Sequence, residues 1–135
     1  MIKEKIIIDA GNSPLGRVAS YAAKNALIGK AITIVNCDNA VVSGRKSSVI
    51  GDYKEARTRG GSSLNGPHFP REPFRIMKRT VRGMLSYKQG RGHDALKKVI
   101  CYNNIPEEFK QAEKISLTKD LRIKPITLKE LSNIL

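Results

Sequence analysis

The sequence predicts an α/β fold that opens with a βαβ unit, and three observations carry that prediction. Lys5-Ile6-Ile7-Ile8-Asp9 is a β-branched run without polar alternation, the pattern of a strand covered on both faces. Leu15, Val18, Ala19, Ala22 and Ala26 then recur at helical spacing. Ala31 to Asn36 (AITIVN) returns to a short apolar strand. Two strands joined through a helix imply parallel pairing and a right-handed crossover.

Each element has its own local signals. Ser13 is placed to cap a helix beginning at Pro14, and Gly29 to stop it. After Asn36, Ala40-Val41-Val42 leads into Ser43-Gly44, and a weaker helical pattern follows. There Val49, Tyr53 and Ala56 face inward, and Lys46, Lys54 and Arg57 face outward. Residues 59–73 hold three glycines and three prolines without periodicity, and a loop of that length suits a segment that orders against a partner. Lys97 to Tyr102 reads as a third strand, and Glu107 to Ser116 as polar and partly helical. Thr127-Leu128-Lys129-Glu130 is a capping box, opening a short helix that docks through Leu128, Leu131, Ile134 and Leu135.

The most informative stretch is Arg71 to Gly92. On a helix from Pro73 to Leu85, Phe74, Met77, Val81 and Met84 form an apolar stripe with Leu85 beside it. Arg75, Lys78, Arg79 and Arg82 form a cationic stripe about a third of a turn away. Glu72 and Pro73 suit the helix start, since an acid favours the positive dipole end and proline there loses no needed donor. Gly83 costs about 1 kcal/mol relative to alanine and weakens the far end. Lys88-Gln89-Gly90-Arg91-Gly92 then reads as a Gly/Arg turn that permits close backbone approach.

Charge placement says what that face meets. The 135 residues, expected to form one domain, carry a net charge of +13. Residues 45–98 alone hold fourteen basic against four acidic side chains, and eight of the ten arginines. Arginine offers phosphate a planar fork that mere solubility would not require. A polyanion partner follows, met by Arg75, Lys78, Arg79 and Arg82 together with Arg45, Lys46, Arg57, Arg59, Arg71, Lys88 and Arg91. The surface suits phosphate tracking and the shape of structured RNA. With three Phe, four Tyr and no Trp it is not a base-stacking platform. No two glycines lie three apart, so the GxxG clamp is absent, and helix-turn-helix DNA binding sits poorly beside a parallel sheet.

Catalytic signals are thin. Gly11-Asn12-Ser13-Pro14-Leu15-Gly16-Arg17-Val18 has the glycine spacing and strand-to-helix setting of a P-loop. It lacks the chemistry: Arg17 replaces the lysine, Val18 removes the magnesium-binding hydroxyl, and Pro14 removes a backbone donor. Arg17 could still meet an RNA phosphate. Asp9 stands where an α/β enzyme places a carboxylate, yet such an acid is more often tied to backbone N–H groups or an arginine. His68 and His93 lie in Gly/Pro-rich surroundings with no patterned acid or nucleophile beside them, and no metal site or cofactor is indicated. Cys37 and Cys101 sit in apolar surroundings and read as free thiols of a reducing cytosol. No apolar run approaches the ~20 residues of a membrane span, and no signal peptide is visible. Two other readings stay open: a nucleotide-binding or nucleic-acid-modifying enzyme using the Gly11–Gly16 turn and Asp9, and an architectural DNA-binding protein.

Specific residues also carry a family resemblance. Ile8-Asp9-Ala10, Leu15-Gly16-Arg17-Val18-Ala19-Ser20, Ile34-Val35-Asn36 and Ser43-Gly44-Arg45 resemble the universal large-subunit ribosomal protein L-thirteen family. So do Phe74, Met77 to Leu85, Lys88, Arg91-Gly92, Val99, Tyr102 and Ile105-Pro106, so that nearly the whole chain is covered in order. The Gly-Pro-His-Phe-Pro loop and the Thr-Leu-Lys-Glu-Leu-Ser ending resemble the archaeal and eukaryotic branch. The resemblance implies a three-layer α/β/α domain with a small, mainly parallel sheet. It also implies a non-enzymatic, cytoplasmic role in the large subunit: binding ribosomal RNA beside neighbouring ribosomal proteins and supporting assembly, with no small-molecule substrate. By position it assigns Arg79, Arg82, Gly83, Lys88, Arg91 and Gly92 to the RNA. Ser86-Tyr87 departs from the Pro-His of many members, which implies a less sharp helix end.

Overall fold

The structure is a computed structural model that describes residues 5–58, 70–117 and 125–135. Strand β1 (Lys5–Asp9), helix α1 (Leu15–Ile28) and strand β2 (Ala31–Val35) form the expected unit, with β1 and β2 parallel from Lys5 opposite Ala31 to Asp9 opposite Val35. Strand β3 (Val41–Val42) and helix α2 (Lys46–Thr58) follow. Then come helices α3 (Pro73–Gly83) and α4 (Gly90–Lys97), strands β4 (Val99–Cys101), β5 (Ile115–Ser116) and β6 (Ile126–Thr127), and helix α5 (Leu128–Ile134). The main sheet has the order β4-β2-β1-β5 and all its pairings are parallel, while β3 and β6 make a small antiparallel pair. Helices surround a mainly parallel sheet, the three-layer α/β arrangement.

Alanine explains how closely these layers approach. Leu15, Val18, Ala19, Ala22, Ala23 and Ala26 are all buried on α1, and their small side chains let α3 pack directly against it. Ile8, Ile32, Ile34 and Val99 from the sheet join Ile76, Met77 and Val81 from α3 in one core cluster. The strands are not covered equally on both faces, however. Among the alternate residues, Ile7 and Thr33 stay partly exposed and Ile100 is 50% exposed. Period-2 alternation is therefore present in the structure, masked in the sequence because apolar residues occupy both faces.

Two termini of α1 teach opposite lessons. Gly29 ends the helix as expected, with φ 112° and its N–H donating to the Ala26 carbonyl. Ser13 does not cap the start. Leu15 is the first helical residue, Pro14 is the cap position, and buried Ser13 donates its hydroxyl to the Gly11 carbonyl at 3.2 Å. At the other end of the chain, Thr127 does cap α5, accepting the Glu130 N–H at 3.2 Å.

The largest departures lie between Gly90 and Ser116. The expected Gly/Arg turn is the first turn of α4, so His93 is helical, its N–H donating to the Gln89 carbonyl. The 107–116 segment supplies only a 3-10 turn at Glu107–Phe109, and then strand β5 beside β1. A two-residue strand carries too little periodicity to announce itself.

The loops at the strand ends interlock. Asn36, Cys37 and Asp38 donate their N–H groups to the carbonyls of Asn104, Tyr102 and Asn103, at 3.0–3.1 Å. Asn103 in turn accepts the Phe74 N–H on its side-chain oxygen at 2.8 Å. Phe74 is the second residue of α3, so its N–H has no partner within the helix, and the Glu72 side chain at the cap position makes no capping bond to it. A distant asparagine therefore performs the capping. Asn103→Ala is expected to cost about 1 kcal/mol in urea denaturation; an unchanged midpoint would show that water replaces the bond without loss.

Candidate nucleic-acid interface

Helix α3 carries the apolar and basic faces read from its sequence, with two exchanges. Ile76, Met77, Val81 and, just past the helix, Leu85 are buried, while Met84 is 44% exposed. The helix ends at Gly83, and Met84 enters a tighter turn in which its N–H donates to the Val81 carbonyl. That change of period rotates Met84 outward and leaves Ile76 to fill the inner face.

The second exchange concerns Lys78. Its ammonium turns inward and donates to the Leu96 carbonyl at 2.7 Å and also to the Val99 carbonyl. Leu96 lies in the last turn of α4, where carbonyls lack helical partners and a positive charge is favoured. Ile32 donates to Lys98 and Tyr102 donates to Ile34, so the carbonyl of Val99 points to the outer edge of the sheet. One lysine thus satisfies a helix end and a sheet edge together. Burial pushes its pKa below the usual lysine range, partly offset by the nearby Cys101 thiol.

The other cations divide by what they touch. Arg75 is exposed, 4.0 Å from Glu72 and 5.7 Å from the Phe74 ring centre. Arg82 lies over the Tyr87 ring at 5.0 Å, which holds its guanidinium beside the turn after α3. Arg79 borders a cavity of about 370 Å³ between α2 and α3, with Asp52, Tyr53 and Gly83. Burial raises the Tyr53 pKa there. Lys88 and Arg91 are exposed on the turn and on the first turn of α4.

Residues away from α3 are placed differently. Arg71 donates its Nε–H to the Ser132 carbonyl in the last turn of α5, at 3.0 Å. Lys46 pairs with Glu130 at 3.3 Å across an exposed surface. Arg45 is exposed in the loop before α2. Arg59, His68 and most of the long loop lie outside the described residues, as does the side chain of Arg57.

The two glycines behave in opposite ways. Gly83 is exposed, and among the described residues nothing beyond its own helix lies within 4 Å of where a Cβ would stand, so the surface there is open to a ligand. Gly92 is buried, and a Cβ would strike the carbonyl of Ser86. Its close approach is to the chain itself rather than to an outside partner. This packing folds the 84–89 turn back onto α4 and fixes where Lys88 and Arg91 emerge, a role invisible in the spacing.

The strand-to-helix turn is closed from within. The Gly11 N–H donates to Asp9 Oδ1 at 2.9 Å, the Asn12 N–H to the Asn39 carbonyl, and the Ser13 N–H to the Ala10 carbonyl. Asn36 Nδ2 also donates to Asp9 Oδ1, at 3.2 Å. The amides of Gly11, Asn12 and Ser13 are therefore turned to the chain itself rather than to a phosphate, and Asp9 is a turn brace. Among the described residues, no group of three or more His, Cys, Asp or Glu side chains could hold a metal. No described helix is long and apolar enough to cross a membrane.

Comparison with known proteins shows the family. The family model described as Ribosomal protein L13 matches residues 3–108. The chain belongs to the ribosomal protein L13 family. Its similarity to family members extends over nearly the full length. It is 44% identical over 119 residues to the large ribosomal subunit protein uL13 of Methanosarcina barkeri, covering 87% of this chain and 84% of that one. The uL13 of Archaeoglobus fulgidus is 44% identical over 135 residues, covering 96% and 86%. That of Methanocaldococcus jannaschii is 43% identical over 129 residues, covering 93% of each. These relatives are archaeal, in keeping with the branch suggested by the 66–70 loop and the C-terminal motif.

Three substitutions test the geometry of this L13-family face. Lys78→Met is expected to lower stability by about 1 to 3 kcal/mol, whereas Arg75→Gln shifts it by no more than about 0.5. Equal stabilities in urea would return Lys78 to the solvent-facing stripe. Gly92→Ala is expected to cost about 1 to 3 kcal/mol through overpacking against Ser86. A neutral result by the same measurement would mean that the turn shifts freely.

Proposed function

We propose that this chain is a structural constituent of the large ribosomal subunit. It binds large-subunit ribosomal RNA through α3, the following turn and the start of α4, and it supports assembly of the particle beside neighbouring ribosomal proteins. It acts in the cytoplasmic ribosome and performs no catalysis.

The carrying observation is the segregation of α3. Ile76, Met77 and Val81 are fully buried, while Arg75, Arg79 and Arg82 lie on the opposite side, and exposed Lys88 and Arg91 follow in the next turn and the start of α4. Guanidinium groups held on a rigid helix lose less freedom on meeting phosphate than the same groups on a loop. Their charge lowers the repulsion between RNA segments brought together during assembly. Gly83 leaves room for a sugar–phosphate backbone to come close. Arg45 and the open part of the Arg71 guanidinium extend the same charge toward α2 and α5. The names of the relatives place them in the large subunit, and the internally bonded Gly11–Ser13 turn removes the support for a nucleotide-dependent enzyme.

Arg75, Arg79 and Arg82 changed together to Gln are expected to leave the fold intact and to weaken binding to large-subunit RNA fragments. The log–log salt slope should flatten, by up to ~0.9 for each phosphate no longer neutralised if the RNA behaves as a duplex does. The same variant should wash from large subunits at lower salt than the parent. An unchanged slope in a folded variant would sink the assignment, and a preference for duplex DNA over structured RNA at fixed salt would favour the architectural reading.

A further inference from the structure

Two thiols meet where strands β2 and β4 end. Ile34 is paired with Cys101 across the parallel ladder, and Cys37 stands three residues beyond Ile34. The Cys37 N–H donates to the Tyr102 carbonyl at 3.1 Å, which brings the two segments into direct contact. Both are free thiols, and Cys101, together with burial, pushes the Cys37 thiol above the usual cysteine range. Their surroundings differ. Cys37 is completely buried, with Sγ 4.0 Å from the Ile34 carbonyl. Cys101 is half-buried and lines a surface cavity of about 350 Å³ with Phe74, Arg75, Lys78, Lys97 and Ile100.

We propose that Cys37 and Cys101 form an oxidation site for small peroxides, with Cys101 the attacked thiol and Cys37 the resolving one. Three features fit the two roles. The cavity admits a molecule the size of hydrogen peroxide to Cys101, and Cys37 is shielded from it. Arg75 and Lys97 line the same cavity and offer N–H donors to the peroxide oxygen that departs. The bond from the Cys37 N–H to the Tyr102 carbonyl and the pairing of Ile34 with Cys101 already hold the two segments side by side, so resolution starts from adjacent backbones.

The chemistry balances with peroxide as the oxidant. The Cys101 sulfur attacks one peroxide oxygen, forming an S–O bond and breaking the O–O bond. The thiol proton leaves with the departing hydroxide as water, and Cys101 becomes a sulfenic acid. The Cys37 sulfur then attacks the Cys101 sulfur and displaces hydroxide, which takes the Cys37 proton as a second water. Two thiols are oxidised to a disulfide and one peroxide is reduced to two waters. The bond would tie the end of β2 to the end of β4, beside the lysine that anchors α3.

The test uses the full chain in native buffer with hydrogen peroxide, followed by thiol titration and intact-mass measurement. Expected is the disappearance of both thiols per chain, a mass lower by two hydrogens and no dimer, reversed by dithiothreitol. Cys37→Ser should accumulate a dimedone-reactive sulfenic acid at Cys101, and Cys101→Ser should leave Cys37 unreactive. Overoxidation of wild-type Cys101 with Cys37 still free would overturn the proposal. So would bridging only after unfolding in urea, or oxidation of Cys37 in the Cys101→Ser chain at the wild-type rate.

Discussion

The tertiary arrangement depends on how α3 is held, and a single lysine shows the constraint most clearly. A helix with four cations on one side could dock in several rotations if only its apolar stripe positioned it. Lys78 limits that freedom by placing its ammonium on carbonyls from the end of α4 and the edge of β4. Those acceptors would otherwise be half-satisfied, and the ammonium gives up some hydration to reach them, as its lowered pKa records. Asn103 adds a second tie at the helix start. Between these two ties and the buried Ile76, Met77 and Val81, the helix has one orientation, and its arginines point one way.

That rigidity matters for the proposed RNA contact because phosphate contacts are individually modest and collectively dependent on register. Arginines fixed relative to each other can meet several phosphates of a folded RNA at once. The structure supports the register by unobtrusive means. Gly92 lies against Ser86 and sets the path from α3 into α4, and Arg82 lies on Tyr87. Elsewhere the same residue types hold the protein together: Arg71 reaches a carbonyl of α5, and Lys46 pairs with Glu130. A basic composition therefore overstates the number of charges free for a partner.

The Gly11–Gly16 turn illustrates the reverse problem, a motif whose spacing suggests more than its geometry provides. Phosphate cradles work because successive amides point into open space. Here the amides of Gly11, Asn12 and Ser13 are consumed by Asp9, Asn39 and Ala10, and Asn36 braces the same carboxylate. A Cβ at position 11 would press against the Asn36 side chain and displace its amide from Asp9. Tight packing between neighbouring strand ends is reason enough for the motif.

The sequence alone determined the elements with strong local periodicity or punctuation. These were the βαβ start, the Gly29 stop, the Thr127 cap and the segregated α3, together with the concentration of arginine that points to RNA. These signals are legible because each arises among residues within a few positions of one another. Tertiary structure decided what depended on distant partners. It set Lys78 against Leu96 and Val99, Asn103 at the start of a helix twenty-nine residues earlier, and Gly92 against Ser86. It also made a strand of Ile115–Ser116, whose two residues gain their hydrogen bonds only beside β1. Hydrogen-bond demand and steric contact act through space, so a side chain's charge can be read from the chain while its direction waits for the fold.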